Sequence, residues 1–217
     1  MSSAQQMQLA RGTPQRPNTY QETPVSQGDI HISAQYFAYE TAEGLVSGTT
    51  IDVMFTIDRP AREVWPVFKD FTRWQKGHLY SGVLGDIEGK MFYLSADPSA
   101  AGVKEPGQKE IRILYQLVKV IPEHLIILSQ PVETERVSVF PGLGRVSPGY
   151  SVFTLNEHGG KTTITGLMNH ASLMQEPGQV MLDEEAIQPW RAMMQEGIRK
   201  WRDEFIPDLK KHVHGRR

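Results

Sequence analysis

Hydrophobic residues recur at two different spacings along this chain, and each predicts a different element. Over the last long stretch, Ile187 to Val213, the residues Ile187, Trp190, Met194, Ile198, Trp201, Phe205 and Leu209 fall on one helical stripe. Arg191, Gln195, Lys200, Arg202 and Asp203 are turned away from it. An amphipathic helix of this length, carrying two tryptophans and a methionine, needs a broad apolar partner. Pro189 suits a first turn or else breaks a longer helix begun near Asp183. Pro207 removes a backbone donor and disfavours helical geometry at Ile206, so it is expected to kink or end the helix.

Upstream the period is two. Ile51, Val53, Phe55 and Ile57 alternate with Asp52, Met54, Thr56 and Asp58 as a half-buried strand. Pro60 then opens a short helix with Val64, Trp65, Val67 and Phe68 on one face, and a second short helix fits Phe71 to Gln75, ended by Gly77. Further strands are expected over 80–87, 91–96, 110–121, 124–130, 150–156 and 161–171, separated by turns such as Glu88-Gly89, Pro122-Glu123 and His158-Gly159-Gly160. Short links make the sheet mainly antiparallel. The predicted class is α+β, with about seven strands and the last helix packed on them. The Gly- and Pro-rich connections 97–109 and 131–148 are the candidate lids.

Before this core, residues 1–29 are built from Gln, Ser, Thr, Pro, Arg and Gly and read as a flexible arm. Residues 30–49 begin with the apolar, aromatic run IHISAQYFAY and read as a peripheral strap or an extra strand. The main domain is expected over 50–213, with a basic tail at 214–217.

Composition narrows the function classes. With 23 basic against 25 acidic residues the chain lacks the positive footprint of a nucleic-acid binder. It has no cysteine, hence no disulfide frame and no thiol nucleophile. No N-terminal apolar run reaches the roughly 7–15 residues of a signal-peptide core, and none approaches a membrane span, so a cytoplasmic protein is expected. Seven histidines raise the question of metal, but there is no His-Glu-x-x-His pattern, and His212-x-His214 lies in the basic tail. Neither a metal nor a cofactor is expected. The glycines of Pro141-Gly-Leu-Gly144 lack the strand and helix context of a dinucleotide site, and no Gly-x-Ser-x-Gly elbow or P-loop is present.

The order of elements carries a resemblance. A strand, two short helices around RPAREVWPVFKDFTRWQKG, hairpins including YQLVKVIPEHLI and FTLNEHGGKTTITGLMNH, and a long closing helix together resemble the START-like (SRPBCC) helix-grip superfamily over about residues 50 to 213. That group includes polyketide cyclases, pollen-allergen-like proteins and lipid-transfer domains. The resemblance implies a curved antiparallel sheet gripping the last helix, with a deep apolar cavity between them. It supplies no shared catalytic residues. The N-terminal extension and the 131–148 connection depart from the minimal pattern.

Candidate site residues therefore come from the chain itself. In the 161–171 strand, Thr162, Ile164, Gly166, Met168 and His170 share one face, taken as inward because Gly166 leaves space and Met168 lines it. His170 is the candidate proton shuttle, or else a strand-end cap bonded to backbone or water. In the 110–121 strand, Ile113 and Tyr115 lie on the more apolar face, and Tyr115 could polarise a carbonyl or stabilise an oxyanion. Tyr93 and Tyr150 are cavity phenols or core packing in the same way. In the resembled fold Trp74 and His78 would lie near the cavity mouth, with His78 a second acid/base or a solvated loop residue. Trp190, Met194 and Ile198 would line the pocket, while Trp201, Phe205 and Leu209 seal its other end.

Two functions from different classes follow as expectations. One is a cofactor-independent lyase, dehydratase or cyclase acting on a small hydrophobic, aromatic or polyketide-like molecule; the other is a carrier of a lipid, sterol or aromatic ligand. A third is an interaction module using the arm and an open sheet edge, and the arm is the expected contact of a homodimer. No nucleic acid and no membrane insertion are expected.

Overall fold

The computed structural model describes residues 18–41, 44–70, 87–96, 111–130, 149–175 and 184–215. The period-two segments pair as one antiparallel sheet of nine strands. These are β1 (Asn18–Gln21), β2 (Val25–Gln27), β3 (Ile30–Thr41), β4 (Gly44–Ile57), β5 (Met91–Ala96), β6 (Ile111–Ile121), β7 (Leu125–Gln130), β8 (Gly149–His158) and β9 (Lys161–Gln175). Their spatial order is β1, β3, β4, β9, β8, β7, β6, β5, with β2 also on β3. The His158-to-Lys161 hairpin turns through Gly159 and Gly160, both at positive φ, as a two-residue turn that matches strand twist requires. Bulges between Leu45 and Val46 and between Leu117 and Lys119 interrupt the ladders.

The helical segments lie on the inner face. α1 (Ala61–Phe68) follows β4, and α2 (Glu184–Lys200), a wide π turn (Trp201–Phe205) and α3 (Ile206–His214) form the closing helix. This is an α+β helix-grip arrangement. α1 starts without a capping side chain of its own; instead Glu157 at the end of β8 accepts the Ala61 N–H at 2.8 Å. Thr162 on β9 donates to the Arg59 carbonyl at 2.7 Å, so the strand-to-helix corner is tied to the sheet on both sides.

Several expectations are corrected. Pro207 neither ends nor breaks the closing helix. It cannot donate to the carbonyl of Asp203, and the chain answers with the widened turn, closed by the Ile206 N–H on the carbonyl of Trp201. The extra residue shifts the helical phase, which is why Phe205 and Ile206 are both buried. Lys200, expected to face away, is buried beside Glu196 at the end of α2. Residues 18–29 are not an arm: β1 and β2 pair with β3 over most of their length, and β3 runs fully paired along β4 with Ile32, Ala34, Tyr36 and Ala38 in the core. The core thus begins about twenty residues before Ile51, in the apolar, aromatic run read as a peripheral strap or an extra strand. Residues 1–17, the expected helix 71–75, the lids 97–109 and 131–148, and the expected strand 80–87 except for Ile87, which is not in a strand, lie outside the described residues.

The sheet and helix are also joined by ions. Glu22, buried in the β1 edge, accepts Arg191 Nε at 2.9 Å, Gln195 Nε2 at 3.2 Å and Tyr20 Oη at 2.7 Å. Farther along, Asp29 accepts Lys210 Nζ at 2.7 Å and the Thr56 N–H at 3.0 Å. The two contacts fasten the N-terminal strands to both ends of the closing helix.

Candidate functional site

Three successive rungs of the inner face set out the site. Across the sheet, Val53 pairs with Gly166 and Gly166 with Phe153. One rung on, Ile51 pairs with Met168, Met168 with Ser151, and Ser151 with Leu128. On the next, Tyr20 pairs with Tyr36, Tyr36 with Thr49, and Thr49 with His170. On the far side of the sheet Gly149 pairs with Gln130 and Tyr115 with Phe92. Carrying the registers on by one residue puts Gly149 beside His170 and Gln130 beside Tyr115. Directly opposed residues of antiparallel strands share a face, so this rung gathers Tyr20, Tyr36, Thr49, Tyr115 and the positions of His170 and Gln130 into one row.

The first rung is the floor. A Cβ at Gly166 would stand 2.6 Å from Phe153 Cε1 and 2.9 Å from Val53 Cγ2. The space at Gly166 is therefore filled by a phenylalanine ring, not left for a ligand as the sequence suggested. Phe153 stacks edge-on against Phe68 at 5.3 Å and lies 6.3 Å from Trp201, which in turn meets Phe205 at 5.4 Å. Behind this aromatic plug Phe55, Ile164 and Leu209 are 0% exposed.

Above the plug, Met168, Ser151, Ile198 and Met194 lie on the inner face or the helix above it, buried to about the degree of Trp201 and Phe205 in the plug. Two rung steps from the floor to the polar row span roughly 13 Å, the scale of a small ring system. α2 approaches β3 and β4, where Gly197 lets the Ile51 side chain come within 3.1 Å of where a Cβ would stand. The helix thus leans on the N-terminal side of the sheet, and the inner face of β9 through β6 is the wall opposite.

Five polar or charged side chains are buried among the described residues: Glu22, Thr49, Ser151, Thr162 and Lys200. Glu22 and Thr162 are satisfied as described, and Lys200 faces Glu196. Burial pushes the Glu22 carboxyl up, but hydrogen bonds from Tyr20, Gln195 and Arg191 outweigh it and leave its pKa below the ordinary glutamate value. Among the described residues, the hydroxyls of Thr49 and Ser151 have no hydrogen-bond partner.

The sequence-derived candidates separate as follows. Tyr115, Met168, Met194 and Ile198 are buried on the inner face or on the helix against it. His170 occupies the polar row by register, Tyr93 pairs with Leu114 and Ile113 with Leu94 in the β5–β6 ladder, and Trp190 is in α2; the side chains of these four lie outside those described. Trp74 and His78 lie outside the described residues. Tyr150 is corrected: it alternates with the inward Gly149 and Ser151, pairs with Asn169, and is 45% exposed on the outer face. Tyr36, Thr49 and Ser151 were missed. A Ser or Thr in an alternating strand gives no sequence signal, and Tyr36 lay in a segment read as peripheral.

Among the described residues no group of three or more His, Asp or Glu is placed to hold a metal, and no helix is long and apolar enough to cross a membrane. No protein-family profile matches the chain and no curated protein matches it significantly. Among solved structures, it is similar to the protein of unknown function SA2116 from Staphylococcus aureus, at a TM-score of 0.50 and 10% identity over 76% of this chain and 94% of that one. It also matches protein CV1439 from Chromobacterium violaceum, at 0.49 and 15% over 76% and 96%, and Ara h 8.0201, at 0.42 and 12% over 76% and 97%. At such identities the first likeness bears on the fold alone.

Proposed function

We propose that the protein binds a small, largely apolar molecule, aromatic or polyketide-like, between the inner sheet face and α2, and performs acid/base chemistry on it in the manner of the catalytic members of the START-like (SRPBCC) superfamily. The observation that carries this reading is the polar row. It sets the His170 position and Tyr115 three strand spacings apart, about 14 Å along the sheet, at the end of an apolar inner face away from the aromatic rings of the plug.

In this reading the chamber does most of its work by orientation. The plug around Phe153 stops the ligand skeleton, Met168, Met194 and Ile198 clasp it, and its oxygenated end reaches the polar row. His170 removes a proton from a carbon next to a carbonyl, the electron pair moves onto the carbonyl oxygen, and Tyr115 donates a hydrogen bond to the enolate oxygen. His170 then returns the proton to another atom of the ligand or to a leaving hydroxyl, which departs as water. A proton relay of this kind is worth on the order of 100-fold or more in rate.

A non-catalytic carrier is the second reading, and one observation favours it: the buried carboxylate among the described residues, Glu22, lies three strands from β9 and is taken up by Arg191, Gln195 and Tyr20, not by a histidine. One experiment separates the two. The small molecule extracted from freshly purified protein is identified by mass spectrometry and incubated with wild type and His170→Ala. Turnover by wild type, reduced on the order of 100-fold in the variant, is expected. Binding without any change in the ligand's mass or spectrum leaves the carrier, and equal turnover by the variant removes His170 from the chemistry.

A further inference from the structure

Buried hydroxyls are nearly always hydrogen-bonded, because leaving one unpaired away from water costs free energy that no packing gain recovers. Thr49 is 2% exposed and Ser151 7%, and neither hydroxyl has a partner among the described residues. Both lie on the inner face, on the two strands that flank β9. Thr49 pairs with His170 and Ser151 with Met168, so the two hydroxyls stand diagonally across β9, one in the polar row and one in the row below it. Two strand spacings and one two-residue step put their Cα atoms about 12 Å apart.

We infer that Thr49 and Ser151 are ligand-binding residues, each hydrogen-bonding an oxygen of the bound molecule, and that they define its class: a neutral, apolar skeleton bearing two oxygen functions about 1 nm apart. This deepens the proposed function and rests on the inner face being the binding site. Charge supports neutrality. The inner-face row positions of β4, β9 and β8 that are described, from Thr49 to Ile57, Thr162 to Met168 and Gly149 to Leu155, contain no Lys, Arg, Asp or Glu to neutralise an ionised ligand. A hydroxyl both donates and accepts, so it suits a ligand carbonyl, phenol or alcohol equally. The spacing is selective: a molecule with one oxygen satisfies one site and leaves the other unpaired, which is the way buried polar groups discriminate between ligands of similar shape.

A matched pair of probes tests this. Trans-stilbene and 4,4'-dihydroxystilbene share an apolar skeleton, and only the second carries an oxygen at each end. Both are titrated by fluorescence into the full-length wild type, Thr49→Val and Ser151→Ala, with melting temperatures measured in parallel. Wild type is expected to prefer the dihydroxy compound about tenfold or more, each substitution to reduce that preference several-fold, and stilbene affinity to stay unchanged. The apo variants should melt no lower than wild type, since each loses an unpaired buried hydroxyl. Binding of both probes with equal affinity by wild type, or a preference that survives the two substitutions together, overturns the inference while leaving the binding site intact. A lowered melting temperature with the preference retained shows the hydroxyls to be structural and also overturns it. If wild type binds neither probe, the proposed binding function fails with it.

Discussion

Gly166→Ala is a small change at a place with no room for it. The new methyl would sit 2.6 and 2.7 Å from two carbons of the Phe153 ring and 2.9 Å from Val53 Cγ2, where carbon atoms prefer about 3.5–4.0 Å. The ring would have to move about 1 Å, and it is wedged against Phe68 and near Trp201. Overpacking of this kind costs roughly 1–3 kcal/mol. For a chain of this length each kcal/mol lowers the melting temperature by about 2–4 °C, so a fall of roughly 2–12 °C is expected by calorimetry. Phe153→Leu in the same chain should restore part of the loss, giving a favourable coupling of about 1 kcal/mol or more in a double-mutant cycle. Melting of Gly166→Ala within about 1 °C of wild type, or strict additivity with Phe153→Leu, would refute the picture of a plug seated on that glycine.

The N-terminal strands yield further predictions. Glu22 has a depressed pKa in the folded state, so its stabilising contribution is complete above the ordinary glutamate range and disappears as pH falls through the folded value. Glu22→Gln should lower the melting temperature at neutral pH by several degrees and flatten the acid limb of the melting-temperature profile below about pH 4.5; an unchanged acid limb would mean the contact does not hold the strand. Asp29 follows the same sign, because burial raises its pKa less than Lys210 and the Thr56 N–H lower it. This pair is more exposed than the buried Glu22, with the Asp29 carboxyl about half exposed, so Lys210→Ala should cost under about 1 kcal/mol and lose even that in high salt. A larger, salt-independent loss would contradict this ranking.

The fold was legible where one face of an element is apolar. Strand β5 falls at the residues that alternation indicates, and the stripe from Met194 to Leu209 is the buried side of the closing helix. It was illegible where tertiary contacts override composition. β1 and β2 are polar short strands with no pattern of their own, held by pairing to β3 and by Glu22, a carboxylate whose partners lie some 170 positions away along the chain. Ile206 is buried because the π turn before Pro207 rotates the helix that follows it, a displacement no fixed period anticipates, and Lys200, at the end of α2, is buried beside Glu196. The site divides in the same way. The inward face of Tyr115 and of the His170 position follows from alternation, but their shared row depends on strand order and register. That Thr49 and Ser151 have no partner among the described residues depends on every neighbour at once.

A ligand held on the inner face between the aromatic plug and the polar row would be excluded by filling that space. Ser151→Trp places an indole there, whereas Thr154→Trp on the same strand places one on the outer face. Titrated with the neutral fluorescent probe N-phenyl-1-naphthylamine, wild type and Thr154→Trp are predicted to bind alike and saturably, and Ser151→Trp to bind at least about tenfold more weakly with its circular dichroism unchanged. Undiminished binding by Ser151→Trp would place the ligand elsewhere and contradict the account.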